Sequence, residues 1–428
     1  MGETSTTAAV IGAGPAGLAA ALGAGKAGAD VVLAAPPQGV ASRTPDLRTA
    51  ALFAGSIALL KNLGAWSQIA PHSAPILAIR IIDDTGALLR APEVVFTAGE
   101  AGYEAFGWNI PNAVLVSALM AAAGAPGSRV RVLETAGITG LSLGGDLARL
   151  TTQEGESFQA RLVAGADGRN SISRSAAGIA TRTWQYPQAA LVTTFAHTRP
   201  HRSISTEFHR PAGPLTTVPL PGDRSSLVWV EAPDVAKGLA TLDDTAFGNA
   251  LEERLQGLLG GVGEITPRAV FPLSGLTAEA FGRNRVALVG EAGHVIPPIG
   301  AQGLNLGLRD AATLAECVAL ALARGLDPGG AGTLDDYNRR RRPDVTSRIA
   351  TVDVLNRSLL SSLLPVHLAR GFGLVALKTF APLRRIAIRE GLGPSGDRSP
   401  DDVPALLLAD GVRLLSERAA AKSHSSAA

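Results

Sequence analysis

Residues 286–310 read VALVGEAGHVIPPIGAQGLNLGLRD, and the fold turns on how this block is read. An apolar strand, Val286 to Val289, runs into the charged turn Gly290-Glu291. A loop carrying Pro297 and Pro298 follows, and the small-residue segment Gly300-Ala301-Gln302-Gly303 opens a helix. A helix start leaves several backbone N–H groups without partners and carries a partial positive charge. Such an end suits a phosphate or the electron-rich edge of a cofactor ring, and the block alone does not choose between them.

A second glycine-rich turn lies far upstream. Val10-Ile11 lead into Gly12-Ala13-Gly14-Pro15-Ala16-Gly17, a helix is expected to about Ala27, and Asp30 to Leu33 begins a second strand. In this βαβ setting Gly12 permits the tight turn, Gly14 lets the backbone approach a pyrophosphate, and Gly17 lets helix and strand pack closely. The bland alternative is a glycine-rich turn with no ligand, but its place after a strand and before a helix favours dinucleotide binding. One expected partner is missing. Where an acid would face the adenosine ribose, the second strand ends Leu33-Ala34-Ala35-Pro36. A third segment, GADGRNS (165–171), sets Asp167 between small residues at a strand end. There it can accept from ribose or ribitol hydroxyls or orient a neighbouring Arg, although alone it reads as an Asp-Gly turn.

Composition sets bounds. The 428 residues suffice for two or three domains, and 46% hydrophobic against 18% charged residues describes a globular chain. A formal net charge of +2 argues against a dedicated nucleic-acid binder. The single Cys317 excludes a disulfide framework and a Cys-based zinc site, and its LAECVALALA context reads as a buried helix face. Ala8 to Gly25 is apolar but Gly-rich and lacks a basic flank, so neither a signal peptide nor a membrane span is expected. The compartment expected is cytoplasmic.

The pattern along the chain predicts helix over 45–70, short strands over 75–106, a helix over Asn112 to Ala123 and more strands over 129–164. An antiparallel sheet is expected over 183–275, interrupted by a helix from Asp243 to Gly257. Strand 286–289 returns to the first domain, and the remainder looks helical with a frayed tail at 419–428. The expected partition is 1–74, 107–182 and 276–335 for the discontinuous first domain, 75–106 and 183–275 for the sheet domain, and 336–428 for a helical C-terminal region. From Tyr337 to Glu390, eleven Lys or Arg face three Asp or Glu, around an apolar stretch from Leu359 to Leu383. This suggests a helical surface near anionic lipid or partner proteins.

Gly12-x-Gly14-x-x-Gly17, GADGR and the 290–305 block, in that order and at wide spacing, resemble the class A flavin-dependent monooxygenases of the para-hydroxybenzoate-hydroxylase-like fold. Five further segments narrow the likeness. DLRTAALFAGSIALLKNLGAW (46–66), FGWNIPNAVLVSAL (106–119), GPLTTVPLPGDRSSLVW (213–229), PPIGAQGLNLGLRDAATLAE (297–316) and YNRRRRPDVTSRIATVDVLNRSL (337–359) look like the ubiquinone-biosynthesis hydroxylases of the UbiH/UbiF type. The likeness covers roughly residues 8–393.

The resemblance implies an α/β protein: a discontinuous Rossmann-type FAD-binding domain, an inserted antiparallel β-sheet substrate domain and a helical C-terminal region. It implies FAD held by Gly12, Ala13, Gly14, Pro15, Ala16, Gly17, Arg48, Asn112, Asp167, Glu291, Pro298, Gly300, Gln302, Gly303, Leu304 and Asn305, with no metal. Glu291 stands where the family usually has Asp. The implied activity is that of an FAD-dependent monooxygenase. NAD(P)H or another donor reduces FAD, O2 adds at the flavin C4a, and the hydroperoxide hydroxylates the ring of a polyprenyl-phenol intermediate of ubiquinone biosynthesis. Peripheral contact with the inner membrane or with a biosynthetic complex would suit such a substrate. No second GxGxxG follows residue 160, so no separate nicotinamide-binding domain is expected. The sequence names no side-chain acid or base. Glu207 and His209 lie on the expected substrate sheet, where each either faces the ring or sits at a solvated edge. Other readings on the same fold are a different aromatic hydroxylase, an isoprenoid-lipid reductase and a non-catalytic flavin-binding scaffold subunit.

Overall fold

The structure is a computed structural model and describes residues 4–37, 46–86, 91–360, 380, 382, 384 and 385. The chain opens with β1 (Thr4–Ile11), α1 (Pro15–Lys26), β2 (Val31–Ala35), β3 (Thr49–Phe53), α2 (Ala54–Asn62) and the short α3 (Trp66–Ile69). Next come β4 (Ala74–Ile76), β5 (Ala78–Asp83), β6 (Val94–Thr97), β7 (Gly107–Pro111) and α4 (Asn112–Ala123). They lead to β8 (Val130–Glu134), β9 (Ile138–Gly144), β10 (Leu147–Thr152), β11 (Ser157–Gly165) and α5 (Ile172–Ala176). The middle of the chain holds β12 (Thr181–His197), β13 (Ile204–His209), β14 (Leu215–Leu220), β15 (Arg224–Glu231), α6 (Pro233–Thr241), α7 (Asp244–Arg254), β16 (Val262–Gly263) and β17 (Ala269–Ala278). It closes with β18 (Gly282–Arg283), β19 (Val286–Leu288), β20 (His294–Val295), α8 (Gln302–Ala323) and α9 (Ala331–Leu360).

The first sheet runs β18-β19-β11-β1-β2-β8, with β9 and β10 attached to β11. β1 pairs in parallel with both β11 and β2, and β19 pairs in parallel with β11. A parallel sheet is covered on both faces, and β2 is buried at every position. One face packs Val10, Leu33 and Leu162 against Leu18 of α1 and Leu314 of α8. The other face joins Val163 and Leu288 to Leu150 and Phe158.

The second sheet runs β20-β17-β12-β15-β14-β13-β5-β6, with β16 on β12. Residues 78–97 thus share a sheet with residues 181–278. Its pairs are antiparallel except β13 with β5, which run parallel from Ile204 opposite Ala78. Side chains alternate across it. Leu191, Leu215, Leu227 and Trp229 bury one face against Phe247 and Leu251 of α7. A small third sheet, β3-β7-β4, lies against the opposite face, where Ala51 and Phe106 meet Ile79, Ile81 and Val218.

Two expectations change. Residues 45–70 are not helical throughout, because Thr49–Phe53 pairs antiparallel with β7 before α2 begins. The Arg339–Arg342 run is largely not a free basic face. Arg341 is buried on Asp310 and Asp344, Arg340 pairs with Glu316 and Asp336, and Arg339 also reaches Asp336. These pairs tie α9 to α8. Arg384 likewise turns inward, bonding Glu100 and the Val95 carbonyl at the β6 edge. Most of the apolar 359–383 stretch, and the tail at 419–428, lie outside the described residues. Cys317 is 2% exposed in α8, as its context predicts.

Candidate functional site

The turn between β1 and α1 is shaped by contacts that exclude side chains. Gly12 has φ +106°, and a Cβ there would run into the Ala166 carbonyl oxygen. A Cβ on Gly17 would strike the Gly12 carbonyl and lie 2.9 Å from Ala166 Cβ. The glycine turn and the GADGR segment are therefore in contact, and the Ala166 amide donates to the Ile11 carbonyl at 2.9 Å. Gly14 differs. Nothing lies within 4 Å of where its Cβ would be, and it caps α1 with no side-chain hydrogen bond. No side chain caps the first-turn amides of α1, and the backbone at Gly14 is open to close approach.

The 286–310 block reaches the same place. A Cβ on Gly307 would lie 3.2 Å from both Ala16 Cβ and Gly290 Cα. The first turn of α1, the Gly290 turn and the second turn of α8 meet at these small residues. Three motifs spread over some 300 positions of the chain thus meet at one place.

Arg48 and Asn112 are also brought together. The Asn112 amide donates to the Arg48 carbonyl at 3.0 Å. Asp46, which the sequence did not single out, joins their side chains: Arg48 Nε and Nη2 each donate to it at 2.8 Å, and Asn112 Nδ2 at 3.2 Å. Asn112 Oδ1 is buried and finds no partner among the described residues. The hydrogen bond that Arg48 donates to Asp46 raises the Arg48 pKa against desolvation, and the charges of Asp46 and Glu291 add to it. Glu291 thus lies within electrostatic reach of Arg48, on the exposed side of its turn. The guanidinium also stands 5.8 Å from the centre of the exposed Phe271 ring.

Asp167 has a local task. It accepts from Ser171 Oγ at 2.6 Å and from the Ser173 amide and hydroxyl at 2.9 and 3.0 Å. These bonds fix the start of α5. Arg174 of α5 then donates to the Ala292 carbonyl at 2.8 Å, joining the GADGR segment to the Glu291 turn.

The proline loop delivers the start of α8. Pro298 is exposed, Gly300 has φ +65°, and Ala301, at φ +53°, caps the helix without a side-chain bond. A left-handed Ala costs roughly 1–2 kcal/mol, and strain of this kind tends to collect at functional sites. Gln302 Nε2 donates back to Gly300 at 3.1 Å. Gly303 and Leu304 are half-buried on the first turn. The buried Asn305 side chain works entirely inside the protein. It accepts from the Phe53 amide at 3.0 Å and Ser56 Oγ at 2.8 Å, and donates to Ala51 at 2.9 Å and Ala301 at 2.7 Å. It therefore locks β3 and α2 to the uncapped end of α8.

Beneath this surface lies a charged network that the sequence reading missed. Asp310 Oδ2 accepts from His294 Nε2 at 2.7 Å and the Gly290 amide at 2.9 Å, while Oδ1 accepts from Arg341 Nε at 2.6 Å. Burial pushes this carboxyl up, but the charges of His294 and Arg341 outweigh it and hold it at about 2. Arg341 also donates to Asp344 at 2.8 Å, and Tyr337 Oη donates to Leu288 at 2.7 Å. A polar residue in an otherwise apolar helix stripe was the available signal.

The site fits a dinucleotide. It offers an uncapped, glycine-lined helix start for a pyrophosphate, an orphaned buried acceptor on Asn112 for a donor group, and a second uncapped helix start for an electron-rich ring. At β2 the expected ribose acid is absent. Ala35 instead lies in register with the exposed Glu134 of β8.

Residues 5–351 match the FAD binding domain family. The ubiquinone hydroxylase UbiL of Rhodospirillum rubrum is 37% identical over 357 residues, covering 83% of this chain and 82% of its own. The 3-demethoxyubiquinol 3-hydroxylase of Escherichia coli is 32% identical over 92% of this chain and 100% of its own. Among solved structures, the p-nitrophenol 4-monooxygenase of Pseudomonas putida superposes with a TM-score of 0.74 at 20% identity, over 92% of this chain and 100% of that one. HpxO of Klebsiella pneumoniae, solved with FAD, gives 0.71 at 18% identity, over 91% of this chain and 100% of that one.

Proposed function

Given that the chain belongs to the FAD binding domain family, alongside the ubiquinone hydroxylases, we propose that it is an FAD-dependent monooxygenase that hydroxylates the aromatic ring of a polyprenyl-phenol intermediate of ubiquinone biosynthesis. The observation that carries this reading is the meeting of the Gly12–Gly17 turn, the Gly290 turn and the first two turns of α8, with Phe271 of the second sheet beside Arg48.

FAD, reduced by NAD(P)H or another donor, would supply the activation of O2. The chain supplies place and field. The uncapped amides of α1 would receive the pyrophosphate, beside Ala13, Pro15 and Ala16. Arg48 and Asn112 would line the cofactor on one side, and Glu291 would accept from its hydroxyls. The start of α8, at Pro298, Gly300, Gln302 and Gly303, would set a positive helix end against the ring edge where negative charge gathers on reduction. Such an end favours that charge by roughly 0.3–2 kcal/mol. Pro297 and Pro298 present no backbone N–H beside it. Asp167 and Asn305 act through the turns they hold.

A polyprenyl tail is apolar and favours a bilayer, so we place turnover at a membrane surface. Among the described residues no helix is long and apolar enough to cross a membrane.

The test is product analysis with 18O2. The purified chain, loaded with FAD and given NAD(P)H and a short-chain prenylated phenol, should insert one labelled atom into the ring. NAD(P)H oxidation with a reduced prenyl chain and no label would point to a reductase. Flavin that no donor reduces in the presence of the phenol would point to a scaffold.

A further inference from the structure

The second sheet has one sealed face and one face that the third sheet covers only in part. Leu191, Leu215, Leu227 and Trp229 are sealed under α7. On the opposite face one row of side chains crosses five strands: Glu207, Thr216, Val228, Val192 and Ala269, on β13, β14, β15, β12 and β17. Each is half-buried or exposed, although its neighbours along β12, β13, β14 and β15 are buried. The row is the partly open strip, or floor, of that face. Its β17 end adjoins Phe271, over which Arg48 stands, and the third sheet packs beside it through Ala51 and Phe106.

At the far end of this floor lies a buried pair. His209 Nε2 is 2.8 Å from Glu207 Oε1, with side chains 6% and 15% exposed. Thr216 Oγ1 reaches the other Glu207 oxygen at 3.4 Å. Among the described residues no Lys or Arg pairs with Glu207. The adjacent Arg210 turns to the other face, to Glu231 at 2.8 Å and over the Trp229 ring. Asp83, in register with His209 on β5, directs its carboxylate to Thr85 and the Ala91 amide. Among the described residues His209 Nδ1 is buried and has no partner. A carboxylate on Nε2 selects the tautomer with the proton there, leaving Nδ1 as a bare acceptor. A buried acceptor without a donor is costly unless a ligand supplies one.

We infer that His209, oriented by Glu207, takes the proton of the aromatic substrate's hydroxyl, an assignment that rests on the hydroxylase reading above. The phenolic O–H bond breaks, its electron pair stays on oxygen, and a new N–H bond forms at Nδ1. The Glu207 carboxylate stabilises the resulting imidazolium. The phenolate enriches the ring positions ortho and para to it, where the electrophilic oxygen derived from O2 is received. The substituted ring carbon then releases its proton to solvent, and the substrate's own oxygen recovers the proton held at Nδ1.

The experiment uses the FAD-loaded full chain and 2-prenylphenol. Anaerobic difference absorbance reports bound phenolate, and aerobic turnover reports kcat and KM. Wild type should show the phenolate band. His209→Asn should lose the band, keep the phenol Kd within about threefold, and lose about 100-fold or more in kcat, the range of general base catalysis. Glu207→Gln, nearly equal in volume, should lose about tenfold. Ring fluorination, which acidifies the phenol, should restore much of the His209→Asn loss, an outcome that a merely structural role would not produce. The assignment is overturned if His209→Asn keeps the band and its kcat, or if both variants are equally impaired on the fluorinated phenol. If wild type neither ionises nor hydroxylates the phenol, the hydroxylase reading falls with it. If wild type hydroxylates and His209→Asn matches it, the pair alone falls.

Discussion

Asp310 of α8 and Arg341 of α9 are joined at 2.6 Å with side chains 0% and 4% exposed, and the same carboxylate holds the Gly290 amide. The Gly290 turn is thus suspended from an almost fully buried ion pair. Removing one member of a buried pair leaves the other uncompensated, at about 3–5 kcal/mol. Asp310→Asn should therefore lower the urea midpoint and reduce the flavin bound per purified chain. A variant that unfolds like wild type and keeps full flavin would refute this view of the network.

The same carboxyl ties stability to acid. Its folded pKa of about 2 lies below the ordinary 3.8, so its contribution is complete above the ordinary value and is lost as pH falls through the folded one. The difference corresponds to roughly 2 kcal/mol. Thermal melts between pH 5 and pH 2 should show wild type losing stability more steeply than Asp310→Asn. Parallel slopes would count against it.

Gly14 and Gly17 should separate binding from folding. A methyl at Gly14 enters open space, so Gly14→Ala should melt like wild type as apoprotein yet bind FAD at least about tenfold more weakly, since the methyl occupies the pyrophosphate's approach. A methyl at Gly17 meets the Gly12 backbone, so Gly17→Ala should itself lower the apoprotein melting temperature. Melting curves with and without FAD decide it.

Much of this was legible because its physics is local. The glycine turn, the uncapped helix start and the period-2 strands each depend on a few neighbouring residues. What escaped depends on distant partners. Thr49–Phe53 reads as helix from its Ala-rich context, and only β7, some 55 residues on, makes it a strand. Asp310 and Arg341 looked like a polar position and part of a basic run, because a sequence does not show that α8 and α9 press them together. Asp46 became visible only once Asn112 was placed beside it. The His209–Glu207 pair was seen as two candidates, but its buried, unpartnered Nδ1 is a property of the folded sheet alone.

Glu291 differs from the family's usual acid by one methylene, while Arg48 responds to its charge. Charge should therefore matter more than length. Glu291→Asp should bind FAD within about threefold of wild type, and Glu291→Gln should lose about tenfold or more, as for a hydrogen bond to a charged group worth roughly 1.5–3 kcal/mol. Fluorescence titration of the apoprotein with FAD measures both. Equal affinities for all three proteins would remove Glu291 from the site.

Cys317 offers a probe of the seam between α8 and α9. Burial, with the nearby acids Asp336 and Glu316, pushes its thiol up to about 12 despite Arg340. At pH 8 only about one thiol in ten thousand would be ionised, and the thiolate is the reactive form. The folded chain should therefore resist an aromatic disulfide reagent for hours and react fully in urea. Because the Asp310–Arg341 pair closes the same seam, Asp310→Asn should react measurably faster under native conditions, in step with its lost stability. Equal rates in the two proteins would mean that the seam opens independently of the buried pair.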